Sequence, residues 1–501
     1  MIRTGLVWIF VLGLSARAFK DWYLSLCGLI LMMAAIEHPD MPKTMLGIQG
    51  LNPWNVLLVF VVLGWAHSRR REGREWDLPP HVAAMLLLFL GVVLVGWGRM
   101  FLERHATDLP RTTTLISEYL VNMLKWLVPA VLLYDGCRSR ERFRLALLSV
   151  LGVYLLLGVQ VIKWMPLSAA TSGDALTERS ARLLKEVGFH RSNLSMMLAG
   201  GAWAMFAARV IARTRLEALA LAAFSLLLAF AQSLTAGRTG YVTWAAVGLL
   251  LCVLRWRRYL LLMPVAAAVI LTVVPGAAER LTQGFSAESR DNARVATDGD
   301  PEFDDEPDAY TITSGRTLIW PFVIEKIEEA PIFGYGRLAM RRTGLSDFLA
   351  DQLGESFPHP HSAYLEQLLD NGIVGFVIVV GTFALLLWRA MGLFLDGRSP
   401  VFVAAGGATA AVLMACLASS VGNHSFYPRE GSVPMWCLVG LMLRVGVERE
   451  RVDVALRARR TRLRRARMQA AMGAAAPVVV GEFGAGAAAP RAPDEMLWAT
   501  A

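Results

Sequence analysis

About thirteen mostly apolar runs, each close to the length that crosses a bilayer, dominate this 501-residue chain. They lie at 3–19, 22–37, 53–67, 81–98, 115–134, 144–164, 192–210, 215–233, 238–254, 258–275, 372–391, 400–421 and 433–447. A helix needs about 20 apolar residues to cross the hydrocarbon layer. Inside lipid only helices and closed barrels satisfy their own backbone. A barrel would show short alternating segments, and these are absent. The pattern therefore predicts an all-α polytopic membrane protein with about 12–13 transmembrane helices, the lower count arising because the first three runs are short. Composition agrees: 55% of residues are hydrophobic, and the 18% that are charged cluster between the runs. Residues 5–15 are apolar, but Arg17, Lys20 and a second run follow at once. That order reads as a retained first span rather than a cleaved signal.

Charge orients the chain. Arginines crowd the loops at 68–77, 135–144, 209–215 and 255–258, and the tail after 448. With the spans above, all five clusters fall on one side, which the positive-inside rule makes cytoplasmic. The same rule accounts for much of the net charge of +9, so no nucleic-acid partner is expected. The division that follows is an N-terminal transmembrane bundle at 1–275, a large periplasmic loop at 276–371, C-terminal transmembrane helices at 372–447, and a basic then disordered cytoplasmic tail at 448–501. The basic part of that tail suits anionic lipid headgroups. The five cysteines form no CxxC pair and read as small buried residues, not as a disulfide framework or zinc site.

The most polar interruption of the apolar pattern runs from Ser314 to Gly375. Just upstream of it, within the same large loop, 286–313 reads as a mobile acidic insert. Residues 316–329 read as an amphipathic helix on the membrane surface, with Ile319, Phe322, Val323 and Ile327 on one face. Ionisable side chains at the edge of the hydrocarbon are costly, so their default reading is functional. An enzyme at the outer face has no nucleotide sugar at hand. Group transfer there needs an activated donor carried by the bilayer, and a lipid-diphosphate-linked glycan fits. Its leaving group is an anion that must be stabilised as charge builds. Arginine does this through bidentate contacts with phosphate oxygens. Histidine is the usual general base near neutral pH. The sequence offers Arg191 in GFHRSN, Arg238 in TAGRTG, Arg316 in SGRTLIW and His361 in HSAYL.

In order, TAGRTG, SGRTLIW, APIFGYG and HSAYLEQLLDNGIVG resemble the motifs of the O-antigen ligase and Wzy-type polymerase family, over roughly 220–391. The resemblance implies a GT-C-like fold with short helices in the large periplasmic loop. It implies transfer of a glycan from undecaprenyl diphosphate to an acceptor hydroxyl, without cofactor or metal, in the bacterial inner membrane with the site facing the periplasm. Carried over by motif, His361 is the catalytic base and Arg238 and Arg316 hold the diphosphate. Arg191 joins them as a substrate contact, and His359 and Tyr364 stand as supporting partners of His361. Two departures matter: TAGR replaces a Ser-Arg turn, and Ser362 replaces the asparagine that follows the family histidine. Ligase and polymerase share this chemistry and differ in acceptor, whether lipid A core, another glycan or a protein.

Each residue also has a plainer role. His361 can cap the following helix, Arg316 and Arg191 can anchor at the interface, and Arg238 can cap an outer turn. His424 and Arg429 face the same side and read as a plain loop or an acceptor entrance. Asp298 and Asp300 form a DGD run better read as solvated charge than as a metal-binding pair. The rival function is a transporter or flippase of lipid-linked oligosaccharide, for which paired broken helices at mid-depth are expected and not evident.

Overall fold

The computed structural model describes residues 2–45, 48–73, 75–103, 110–283, 316–354, 356–423 and 426–473. The acidic stretch 286–313 with Asp298 and Asp300, His424, and the tail from 474 onward lie outside the described residues. In chain order the helices are α1 (Ile2–Arg17), α2 (Trp22–Leu31), α3 (Pro53–Glu72) and α4 (Pro80–Leu102). α5 (Thr112–Gly136) contains a π-helical turn at Ser117–Val121. Then come α6 (Arg140–Trp164), α7 (Gly173–Glu186), α8 (Arg191–Ala208), α9 (Arg215–Ser233), α10 (Arg238–Leu254), α11 (Leu262–Val273) and α12 (Pro275–Thr282). The rest are α13 (Arg316–Glu329), α14 (Leu345–Leu353), α15 (Ala363–Leu395), α16 (Pro400–Ser419) and α17 (Val433–Gly473). A minimal antiparallel pair joins Thr44–Met45 to Ile48–Gln49. Helices begin where a short polar side chain can take up an orphan N–H. Asn52 accepts from the Asn55 amide at 2.9 Å, Thr214 from Glu217 at 3.1 Å and Ser139 from Arg142 at 3.2 Å.

All thirteen apolar runs are helical, but fewer are full spans. Among the described residues, eight helices are long and apolar enough to cross a membrane, or nine if the bent pair α11–α12 is one span. The apolar helices Gly5–Arg17, Trp22–Ala34 and Arg238–Leu254 are shorter. α3 is 20 residues long but ends in Arg69, Arg70 and Arg71. Hydropathy alone counts a run without seeing where a polar turn cuts its helix short.

The core centres on α16, whose residues from Val401 to Cys416 are all buried, and on α8 beside it. Both are rich in Gly and Ala, which lets backbones approach where lipid supplies no hydrophobic drive. A separate small core forms from Ile319, Val323, Met340, Leu345, Leu349 and Leu369. It occupies the apolar face of α13 expected to lie on lipid: Ile319 and Val323 are fully buried, and Phe322 meets Phe348 edge-on at 5.6 Å.

α15 is broken at Gly372, which has φ 61° and ψ −169°, where the Asp-Asn-Gly signal predicts a stop. The PIFGYG turn takes up the backbone groups this break frees. Tyr335 N donates to Leu369 O (2.9 Å), Gly336 N to Asp370 O (2.6 Å), and Ile373 N to Pro331 O (2.8 Å). A Cβ at Gly372 would sit 2.3 Å from Ile332 backbone atoms, and one at Gly334 2.5 Å from Leu369 O. Both glycines also have positive φ, so no other residue fits there without strain.

At the Arg-rich end of the bundle, Asp77 gathers Arg444 (2.8 Å), Arg451 (2.7 Å), Arg138 (3.1 Å) and the Tyr134 hydroxyl (2.9 Å). Burial opposes its ionisation, but these partners, Arg444 foremost, hold the carboxyl down at about 2. Arg444 is fully buried, and a buried charge stripped of a partner is costly. Asp77→Asn is expected to lower the apparent Tm in detergent by several degrees, about 2–4 kcal/mol, read by thermal unfolding against wild type.

Candidate active site

Four separate turns bring polar groups to the other end of the bundle. The first is at the start of α8. His190 caps it, its ring nitrogen accepting from Ser192 N at 3.4 Å, and Arg191 follows. The second is the TAGR turn before α10. Ser195 on α8 is fully buried and donates to Gly237 O at 3.0 Å, while Gln232 donates to Ser195 Oγ at 3.2 Å. That contact fixes the turn in which Ala236 adopts φ 58° and Arg238 opens the helix. The third is α12, set 105° from α11 by the break at Val274. It carries Arg280 and is held to α7 by a hydrogen bond from Gly173 N to Glu279 (2.7 Å).

The fourth is the HPHS segment. Trp320 of SGRTLIW donates its indole N–H to Pro360 O at 3.0 Å, which tethers the residue before His361. Ala363 N donates to Ser420 O (2.9 Å) and Asn423 O (2.7 Å), fixing the residue two places after it. Ser362 caps α15, a role that any short polar side chain at this position fills. Between these ties His361 is held at φ 52°. Among the described residues only Ala236, Leu338 and His361 are non-glycine residues with positive φ. Two of the three line the same cavity, the kind of strain that collects at functional sites.

That cavity has a volume of about 540 Å³. Among the described residues, Arg191, Arg238, Arg280, Arg316 and Arg429 line it with His190, His359, His361 and one carboxylate, Glu430. The expected residues Arg191, Arg238, Arg316, His359 and His361 thus share one chamber. Arg316 lies against Gly422, where an added Cβ would stand 3.2 Å from its guanidinium. The His359 and His361 rings meet edge-on, 4.3 Å between centroids. Tyr364 is not part of the lining. Its hydroxyl donates to Leu417 O at 2.8 Å and its ring packs on Phe426. Three residues on from His361 and past the helix cap, it points to the α15–α16 seam.

Two lining residues went unnoticed or were undervalued in the sequence. Arg280 lies in an ordinary-looking amphipathic turn, and only the bend between α11 and α12 aims it inward. Arg429 reads as loop, and the fold places it across the chamber. Behind the wall, Arg337 is buried between Glu366 (2.9 Å) and Asp370 (3.1 Å), with the Tyr427 hydroxyl 2.9 Å from Asp370. This cluster braces the broken helix that carries the HPHS turn.

The result is a polytopic helical membrane protein with a strained, histidine-bearing cationic chamber at one end of its bundle. Residues 200–380, which hold Arg238, Arg280, Arg316 and His361, match the O-antigen ligase family model, Wzy_C. This segment is therefore similar to the O-antigen ligase domain, and it lies within a polytopic helical membrane protein. It matches no curated protein.

Burial, then His359, Arg316 and His190, push the His361 imidazole down to about 4. It is therefore neutral at pH 7. Peptide-resolved labelling with diethyl pyrocarbonate, which reacts with neutral imidazole, should show His361 reactive down to about pH 4–5. Removing a nearby cation lets the pKa rise, so Arg316→Ala should move that midpoint upward.

Proposed function

We propose that the chamber transfers a glycan from undecaprenyl diphosphate to an acceptor hydroxyl on the periplasmic side of a bacterial inner membrane. The observation that carries this reading is the convergence, among the described residues, of five guanidiniums, three imidazoles and one carboxylate on one cavity. Such a field favours an anion, and arginine suits phosphate oxygens. An apolar groove of about 430 Å³ runs beside it between α9, α10, α11 and α12. Its wall includes Ala277 and Leu281 on α12, the helix that carries Arg280. A polyprenyl chain in this groove would bring its diphosphate to Arg238 and Arg280, both of which contact Gln283. The Arg-rich opposite end, with Arg69, Arg138, Arg444 and Arg451, supports the orientation through the positive-inside rule.

In the proposed reaction His361 removes the acceptor proton. The acceptor oxygen attacks the anomeric carbon from the face opposite the diphosphate, and the bond from that carbon to the phosphate oxygen breaks. The configuration inverts, the polyprenyl diphosphate leaves with the bonding pair, and the proton stays on His361 until solvent takes it. Arg238 and Arg316 offset the charge that grows on the leaving group, with Arg191 and Arg280 beside them. His359 sets the position and field of His361. A free-state pKa near 4 makes a weak base. The donor's negative charge opposes the guanidinium field and raises that pKa once bound, so the base strengthens when it is needed.

His361→Ala should lower transfer by about 10²–10⁴-fold, and Arg316→Ala or Arg238→Ala by about 10²–10³-fold, with membrane insertion and protein level unchanged. Glycan transfer from a lipid-diphosphate donor by purified protein in detergent measures this, and near-normal transfer by His361→Ala rejects the assignment. The acid limb of kcat should lie at higher pH than that of kcat/KM, because the first reports the donor-bound state and the second the free protein. Trp320→Phe keeps the ring but loses the tie to Pro360, and should reduce kcat with little change in donor KM.

A further inference from the structure

A cleft of about 310 Å³ opens between α15 and α17 and shares no lining residue with the chamber. It lies at the Arg-rich end of the bundle, where Arg451 on α17 binds Asp77. Leu393, Met442 and Leu443 give it an apolar floor and are themselves buried in the bundle. Gly392 on α15 and Gly446 on α17 complete that floor. Other glycines of these helices let two backbones meet. A Cβ at Gly406 on α16 would stand 2.3 Å from Phe394 N, and one at Gly440 on α17 2.2 Å from Ala130 O. By contrast, a Cβ at Gly446 would meet nothing within 4 Å, and one at Gly392 only Arg449 Nη1, at 3.4 Å. Glycine weakens a helix relative to alanine, and neither of these two serves close packing. Their effect is to keep the cleft open.

The upper wall is charged with both signs. Arg449 Nε donates to Asp396 at 2.7 Å, and its Nη1 beside Gly392 carries the guanidinium over the cleft. Arg389 touches His81 and reaches Glu450 only loosely, at 3.4 Å. Its Nε is buried and has no acceptor among the described residues. A buried N–H left in that state is costly, and a phosphate oxygen is an acceptor that a guanidinium suits. Glu450 is half exposed, and Asp453 lines the cleft beside it while pairing with Arg398. Two carboxylates at this wall repel a plain anion but suit an ammonium with its three N–H donors. Along α17 the apolar Met442, Leu443 and Gly446 come before Arg449, Glu450 and Asp453, the order in which a phospholipid presents chain and head group. Trp388 lines the same cleft and is 71% exposed, as tryptophans at the head-group level of a bilayer are.

We propose that this cleft binds a phospholipid whose head group joins a phosphate to a primary ammonium, as in phosphatidylethanolamine. Arg389 and Arg449 take the phosphate, with the Arg389 Nε supplying a donor that is otherwise idle. Glu450 and Asp453 take the ammonium, and an acyl chain leads inward over Gly392 and Gly446. The lipid bridges α15 to α17 at the end of α15 farthest from His361. This site stands independently of the transfer reading.

The test is native mass spectrometry of the full chain, delipidated in detergent. It is titrated with dioleoyl phosphatidylethanolamine, dioleoyl phosphatidylcholine and dioleoyl phosphatidylglycerol. The first should bind at least about tenfold more tightly than either other lipid, because the second lacks the N–H donors and the third lacks the cation. Gly446→Leu fills the cleft with a side chain whose Cβ meets nothing, and should weaken phosphatidylethanolamine binding at least about tenfold. Gly392→Leu does the same from α15 and serves if the first variant does not accumulate. Glu450→Gln should bring phosphatidylethanolamine to within about threefold of phosphatidylcholine. Equal binding of the three lipids, tightest binding of phosphatidylglycerol, or leucine variants that hold phosphatidylethanolamine as wild type does would each overturn the proposal.

Discussion

Mutual repulsion among guanidiniums is the constraint on which the rest of this structure depends. Arg191, Arg238, Arg280 and Arg316 face one chamber, and in a partly desolvated setting each makes the others less favourable. Packing elsewhere holds the four together against that repulsion. That packing comes from α8 and α16, whose small buried residues lock the bundle, and from turns that leave little freedom at the cavity. Ser195 pins the TAGR turn, Trp320 and the 420–423 segment pin the HPHS turn, and Glu279 pins α12. The positive φ of Ala236 and His361 is the backbone counterpart of this charge strain. An anionic ligand would relieve the electrostatic part.

Helix interruptions serve the same end. The 105° bend between α11 and α12 turns Arg280 toward Arg238. The break in α15 at Gly372 divides a short outer helix, which starts just after His361, from the membrane-crossing part. Both breaks sit at the chamber end of their helices, whereas a transport mechanism would place paired breaks at mid-depth. Arg337, Glu366, Asp370 and Tyr427 then join the PIFGYG turn, α15 and the loop before α17 into one braced unit.

Much of this was legible in the sequence, for identifiable reasons. Apolar runs report helices because lipid permits little else, and all thirteen proved helical. The Asp-Asn-Gly stop marked the α15 break. Arg191, Arg238, Arg316 and His361 were recognisable because each sits in a turn beside an apolar run, where a charge needs a reason. Span number was less legible, since a run gives length but not where its helix stops. Arg280 escaped because its position depends on a bend, and Arg429 because its role depends on which walls face each other. Tyr364 misled because proximity in sequence to His361 does not survive the helix cap between them. The face of α13 was read correctly as apolar but assigned to lipid, when Met340, Leu345 and Leu349 take it.

The stitched break in α15 has an electrical consequence. A charged, water-accessible vestibule cut into a bilayer protein threatens to become a leak for protons and ions. Here the peptide groups released at Gly372 are taken up by residues 331–336, and α16 is buried in the bundle along its whole stretch from Val401 to Cys416, where the one polar side chain, Thr409, donates to Leu438 O. A break whose peptide groups are all paired within the protein opens no path of unpaired backbone along the bundle.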